Sequence, residues 1–254
     1  MCTVSIYQRN DTCILTMNRD ESRQRPEAGV THTDRTAQSP AGSYPLDSLS
    51  GGTWLGMSEA GFALCVLNRY DRRHFPGLLR SRGEIIPAAL KSESISACID
   101  YLTQLCTKNF AGFDLLLVDH RQCWLFSWDC EHYNISEIML HPWYLHTSSS
   151  VYSEYCTKRR HDQFRLFTEQ SKNRKAIPQD IITGLHLHQF FDDHSASILM
   201  AREKSHTKSI TQVVLSKNTL LMNYFPLPSE MAERNMPYNL PQLKSETARY
   251  PAGL

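Results

Sequence analysis

The 254-residue chain has almost no net charge: 27 Lys and Arg stand against 26 Asp and Glu, leaving +1. Such a balance supplies no global field to steer the protein onto nucleic acid or an anionic membrane. Long apolar runs are also missing. The purest stretches, such as Leu115–Val118, are far shorter than the ~20 residues a membrane-spanning helix needs. The first residues, MCTVSIYQRND, have no basic start followed by an apolar segment and do not read as a signal peptide. None of the eight cysteines forms a CxxC pair, which argues against a structural zinc site and a disulfide framework. Most lie in apolar runs, as expected of buried thiols in a reducing cytoplasm. No internal repeat is visible.

What is present is enough to fold. Apolar residues make up 41% and aromatics 10%, which excludes disorder for most of the chain and allows a full core. Residues 3–8 alternate in polarity, Asn10 and Asp11 read as a turn, and Cys13–Met17 resumes a strand, so the chain opens with a hairpin. Residues 24–50, rich in Pro, Gly, Ser and Thr, read as one long loop. Two further hairpins are expected, over 52–67 and 113–128, and a strand near 138–145 interrupted at Pro142. A helix is expected from Ser94 to Asn109, where Ile95, Cys98, Ile99, Leu102 and Leu105 keep a helical rhythm and Ser94 can cap. Residues 153–170 read as a helix capped by Ser153, and Pro178 opens another to about Phe191. Late strands are expected at 198–201, 210–215 and 220–225. Short turns between neighbouring strands give mainly antiparallel sheets, hence an α+β domain. Residues 1–225 are taken as one domain. Residues 226–254, with five of the 12 prolines, are taken as an extended tail packed on it.

Five groups of residues carry chemistry. Cys2 follows the initiator Met and precedes a small Thr, a context in which Met1 can be removed. An N-terminal cysteine places a thiol and an α-amine of pKa about 8 in one residue, so the amine can serve as general base. Asn18-Arg19-Asp20-Glu21 ends the second strand of the first hairpin and returns beside Cys2. There Arg19 would favour the thiolate and Asp20 would hold the ammonium; the other reading is a solvated turn. Gly51-Gly52-Thr53-Trp54-Leu55-Gly56 permits close backbone approach before an aromatic strand. Asn68 ends an apolar strand, where its amide can either donate to an oxyanion or cap a turn. Arg69, Arg72, Arg73, Arg80 and Arg82 crowd into 14 residues, a loop suited to carboxylates or phosphate, or else a solvated basic loop. Trp54 and the other tryptophans can wall an apolar pocket. No metal-ligand set is apparent.

Met1-Cys2-Thr3, Asn18–Glu21 with Arg25-Pro26, Gly51–Gly56, Asn68, Ser81-Arg82-Gly83 and Ser209–Val213 follow one another in an order that resembles the NRDE, or Transport and Golgi organisation 2, family. The resemblance implies an N-terminal-nucleophile (Ntn) hydrolase fold, a four-layer αββα sandwich of two antiparallel sheets. It carries the roles of nucleophile and supporting groups onto Cys2, Arg19, Asp20, Asn68 and, loosely, Arg202. Two departures from the related cysteine acylases stand out. Arg19 and Asp20 are adjacent, so their side chains leave a strand on opposite faces, and His146-Thr147-Ser148-Ser149 occupies a position where acylases carry a further Asn. The family also implies binding and intracellular trafficking of haem, as cargo and with no cofactor required. Acyl-CoA binding is another suggestion for it. The expectation is therefore a small-molecule ligand, haem or another amphipathic acid, held between the Cys2 strand, Arg19 and the 69–82 loop. Nucleic-acid partners and an integral membrane segment are not expected. The alternative is a cysteine amidohydrolase cleaving a non-peptide amide.

Overall fold

A computed structural model describes residues 2–70, 79–172, 177–228 and 245–251. In chain order the strands are β1 Cys2–Arg9, β2 Thr12–Ser22, β3 Val30–Thr33, β4 Gly42–Pro45, β5 Leu55–Ser58, β6 Ala63–Asn68 and β7 Phe113–Val118. They continue with β8 Cys123–Trp128, β9 Tyr133–Glu137, β10 Trp143–Ser148, β11 Ser205–Ser216, β12 Thr219–Pro226 and β13 Glu246–Tyr250. The helices are α1 Ile85–Ala89, α2 Ile95–Thr103, α3 Ser153–Gln170 and α4 Pro178–Ile181, the last continued by a π turn over Ile182–His186.

The strands form two sheets, ordered β10-β1-β2-β11-β12-β13 and β3-β4-β5-β6-β7-β8-β9. Every pairing is antiparallel. The alternation seen in the sequence decides which face goes where. Val4, Ile6, Leu15, Met17 and Val213 of the first sheet meet Leu55, Met57, Cys65, Leu116 and Val118 of the second in a closed inter-sheet core. The other face of the second sheet packs Leu64, Phe113, Leu115 and Leu117 against Ile86, Leu90, Cys98 and Leu102 of α1 and α2. On the first sheet, Tyr7 and Ile14 pack against Phe167, Ile181 and Leu185 from α3, α4 and the π turn. Helix, sheet, sheet, helix is the αββα sandwich. Each sheet buries both faces, which is why so few of its strands tolerate charge.

The opening hairpin turns at Asn10 and Asp11, with φ of 50° and 56°, the left-handed region that Asn and Asp tolerate and that two-residue hairpins demand. The hairpins over 52–67 and 113–128 also form, and Ser94 caps α2 by accepting from the Ala97 N–H. Several local readings need correction. Residues 24–50 are not one loop: β3 and β4 lie within them as short strands at one edge of the second sheet. Proline and glycine at strand ends gave them a loop's composition. The strand expected at 138–145 is instead β9 and β10, parted at Ile138–Pro142. Helix α2 stops at Thr103, and α4 with its π turn stops at His186. Helix α3 spans 153–170, but its cap is Tyr152 in a left-handed conformation, with Ser153 the first helical residue. Residues 198–201 form no strand beyond a bridge from Ala201 to His206. Near the C-terminus, β13 pairs with β12 and closes that edge of the first sheet.

Candidate functional site

Strand register builds the site. Cys2 begins β1 and lies directly opposite Arg19 on β2 and Ser148 on β10. Parity sets direction: Cys2 shares the inter-sheet face with Val4 and Ile6, and Arg19 shares it with Leu15 and Met17. Asp20, one residue on, faces the helical layer. A β-bulge between Thr207 and Ser209 of β11 sits against this end of β2, an irregularity of a kind found beside functional sites.

Where the two sheets splay at this end, a cavity of about 300 Å³ opens. Cys2, Arg19, Trp54, Asn68, Arg80 and Arg82 line it, together with Val66, Leu79 and Ala111. The two glycine motifs meet behind it. The Thr53 N–H donates to the Gly83 carbonyl at 3.0 Å, and a Cβ on Gly52 would lie 2.7 Å from the Gly83 carbonyl carbon. Gly52 is therefore required by close approach of two backbones. Ser81 and Glu84 form a capping box that fixes the loop carrying Arg82. A larger polar groove of about 850 Å³ lies at the far end of the sandwich, by the hairpin turns at Glu59–Gly61, Asp119–Gln122 and Lys217. It holds none of the candidate catalytic or ligand-binding residues.

Arg19 is engaged by carboxylates, and its charge lowers the thiol pKa only slightly. Its guanidinium bonds Glu27, reaches Asp47 at 2.8 Å and stacks 4.1 Å from the Trp54 ring. Glu27 in turn accepts from Tyr224 Oη at 2.7 Å. Asp47 accepts from Arg25 at 2.8 Å and from the backbone N–H groups of Leu49 and Ser50. Burial alone would raise the Asp47 carboxyl, but the Arg25 bond, the Ser50 N–H and the Arg19 charge outweigh it and hold it below the usual carboxylate range. Glu27 and Asp47 were not picked out from the sequence, because they lie in the stretch taken for loop. The Arg25-Pro26 pair beside Glu27 was the available signal.

The other candidates divide. Cys2 is 8% exposed, and burial pushes its thiol pKa up; the nearby Asp20 charge adds to this, while the N-terminal ammonium, the Asp20 N–H and Arg19 pull it down without cancelling it. In this environment burial favours the protonated thiol. Asp20 contributes to the cavity wall, but its carboxylate turns to the other face. There it accepts from Thr207 at 2.7 Å and faces Arg160 at 3.4 Å. Burial raises its pKa against the pull of Arg160. Arg160 is fully buried and donates also to Thr3 and Thr147, a structural role that the sequence alone did not suggest. Asn68 lines the cavity and donates to Tyr70 Oη at 3.1 Å. Arg202 does not line it, and bonds the Ser195 carbonyl, Ser149 and Cys156. Arg69 does not line it either, and faces Asp114 at 3.5 Å. Arg72 and Arg73 lie outside the described residues.

The sequence profile of the Transport and Golgi organisation 2 family matches residues 1–230. The Transport and Golgi organization 2 homolog of Mus musculus is 31% identical over 108 residues, 42% of this chain and 38% of that protein. The Bos taurus homolog matches to the same extent. The match thus spans well under half the length of these relatives. Among solved structures, a conjugated bile acid hydrolase variant from Clostridium perfringens superposes with a TM-score of 0.60 at 10% identity, covering 100% of this chain and 97% of that one. An N-acylethanolamine-hydrolyzing acid amidase ortholog from Caenorhabditis elegans gives 0.58 at 12% identity, with 84% and 92% covered. Penicillin V acylase from Agrobacterium tumefaciens gives 0.55 at 12%, with 89% and 83% covered. These likenesses establish the Ntn-hydrolase-like fold. With the profile matched over residues 1–230, the chain belongs to the Transport and Golgi organisation 2 family.

Proposed function

We propose that this protein binds haem or a similar amphipathic acid in the Cys2 cavity and carries it within the cytoplasm. The observation behind this is the makeup of the cavity, which joins apolar Trp54, Val66 and Leu79 to the guanidinium of Arg82 and, paired with Glu84, that of Arg80. Apolar walls suit a macrocycle or chain, and guanidiniums suit propionates or another carboxylate. At about 300 Å³ the site is at the small end of ligand pockets, so it grips the acid-bearing edge of a large ligand and leaves the rest accessible. A carrier that must hand over its cargo gains from such a partial grip. No His or Met lines the cavity among the described residues, and the Cys2 thiol is held neutral by burial. The grip we propose acts on the acid groups, through the guanidiniums that line the cavity. Titration with ferric haem followed at the Soret band tests binding, and transfer of the haem to apomyoglobin tests release. A wild-type protein with no saturable Soret shift at micromolar haem would remove this reading.

A second reading, hydrolysis of a non-peptide amide, is favoured by one feature. Cys2 stands at the first position of a central strand, facing the cavity, on a scaffold like that of a bile acid hydrolase and a penicillin acylase. It requires Met1 to be removed, so that the α-amine of Cys2 can take the thiol proton. Intact mass shows whether that happens. Turnover of an acyl amide that Cys2→Ala abolishes, with the fold intact, would establish it.

A further inference from the structure

We infer that Arg82 is the residue that reads the ligand's acid group in the Cys2 cavity, with the Trp54 indole N–H as a second donor, and that the ligand is a monocarboxylate or presents one carboxylate at a time. This rests on the reading of the cavity as a site for an amphipathic acid. It assigns the Arg19 of the motif a structural place.

The argument is one of compensation. Four arginines line the cavity, and three are already paired: Arg19 with Glu27 and Asp47, Arg25 with Asp47, and Arg80 with Glu84 at 2.7 Å. Arg82 differs. Among the described residues its one hydrogen bond is from Nη1 to the Gly112 carbonyl at 2.9 Å, and no carboxylate lies within ion-pair distance. A guanidinium has five donors in a fixed fork, so most of its capacity is unused. Glu21, the acidic neighbour whose charge it feels, sits beyond ion-pair reach, 3.8 Å from Arg19. Burial lowers the Arg82 pKa, the mark of a charge taken from water without full replacement.

Two further observations agree. Trp54 Nε1 is buried and has no hydrogen-bond partner among the described residues. An indole N–H only donates, and a buried donor without a partner is uncommon. A carboxylate is acceptor-only, with room for several donors, so it can take the Arg82 fork together with a second donor. The loop is also held rigidly for the task by the Ser81 capping box, the Gly83–Thr53 bond and the Gly112 carbonyl. One uncompensated charge matches one carboxylate better than a phosphate carrying close to two charges.

The test pairs two acids with their neutral esters: ferric haem with haem dimethyl ester, and decanoate with methyl decanoate. Affinities are measured for wild type, Arg82→Gln, Arg82→Lys and Arg19→Gln, with thermal unfolding as the check on folding, and inorganic phosphate as a competitor. Loss of one charge-assisted contact is expected to weaken acid binding by about tenfold or more in Arg82→Gln and to leave ester binding unchanged. Arg82→Lys should fall between, because it keeps the charge and loses the fork. Phosphate at millimolar concentration should not displace the acid; if it does, the site is a general anion site and the carboxylate assignment falls. If wild type prefers acid to ester and Arg82→Gln keeps that preference, Arg82 is not the reader, although the cavity still binds acids. If wild type binds acid and ester equally, carboxylate recognition fails while ligand binding stands. If neither acid binds wild type, both this inference and the reading beneath it are overturned.

Discussion

Arg19 lies 2.8 Å from Asp47 and directly opposite Cys2 across the β1–β2 ladder, so the arginine of the motif is paired with carboxylates and lowers the thiol pKa only slightly. The motif thus locks the floor of the cavity: Arg19 ties β2 to Glu27, to the Asp47 turn and to the Trp54 ring. Removing it takes one partner from each of two buried acids, leaving Glu27 with Tyr224 and Asp47 with Arg25 and backbone N–H groups. Arg19→Met should destabilise the fold by about 1–3 kcal/mol at neutral pH, the cost of removing charge-assisted partners of buried groups. The deficit should shrink on acidification. Asp47 is held below its unfolded pKa of about 3.9 in wild type, so its contribution is present above that pH and lost below it. In the variant Asp47 has lost one of the charges that hold its pKa down, so it takes up a proton at a higher pH than in wild type. Urea unfolding at pH 7 and at about pH 3 measures both, and a deficit that does not change with pH would contradict the pairing.

Gly52 and Gly51 give a paired control. A Cβ at Gly52 would fall 2.7–2.9 Å from backbone atoms of Gly83, which cannot rotate away. Gly52→Ala should therefore displace the Ser81–Gly83 turn, cost about 1–3 kcal/mol and weaken ligand binding. At Gly51 nothing lies within 4 Å, but φ is +69°. Gly51→Ala should cost only about 1 kcal/mol through backbone strain and leave binding unchanged. Melting curves and ligand titrations on the two variants separate these effects.

Burial holds His186 neutral, with its pKa pushed down to about 3. The ring sits between Ser5 Oγ at 2.7 Å and Asn18 Oδ1 at 2.6 Å. Unfolded, it would titrate near pH 6.5, so the unfolded chain binds the extra proton between those values. Stability from this group is thus complete above about pH 6.5 and is lost as pH falls toward 3, at up to ~1.4 kcal/mol per pH unit. His186→Gln should flatten that part of the wild-type stability curve. An unchanged slope between pH 6.5 and 4 would show that another group governs it.

Thiol reactivity should follow exposure and burial. Cys106 is exposed and Cys130 half-buried, whereas Cys2 is buried with its pKa raised. Iodoacetamide at pH 7.5, mapped by peptide mass, should mark Cys106 first and Cys2 slowly. Labelling of Cys2 ahead of the others would restore the activated thiolate that its position in the sequence suggests.

Strand pairing is local here, which explains what was legible. Two strands joined by Asn10–Asp11 had to bring Cys2 opposite Arg19, and period-two alternation had to send Arg19 and Asp20 to opposite faces. The ordered motifs gave the fold class, and the site lies where Cys2, Trp54, Asn68 and Arg82 converge. Partners distant in sequence were not legible. Glu27 and Asp47 lie in a segment whose Pro and Gly content hid β3 and β4, and nothing local marks them as counterions of Arg19. Arg160 looks like any helix-surface arginine until α3 packs on β1. Arg69 and Arg82 look alike in a basic stretch, yet one faces Asp114 and the other has no carboxylate partner among the described residues.

The most direct test of a ligand site at Cys2 is to fill it. Ala111 lines the cavity and is partly exposed, so Ala111→Trp can occupy the space without rebuilding the core. Ferric haem is titrated into wild type and Ala111→Trp and followed at the Soret band, with matched melting temperatures as the folding control. A binding cavity at Cys2 predicts a saturable shift at micromolar haem in wild type and at least about tenfold weaker binding in the filled variant, a difference of ~1.4 kcal/mol. Equal affinity in the two proteins, or no saturable shift in wild type, would contradict it.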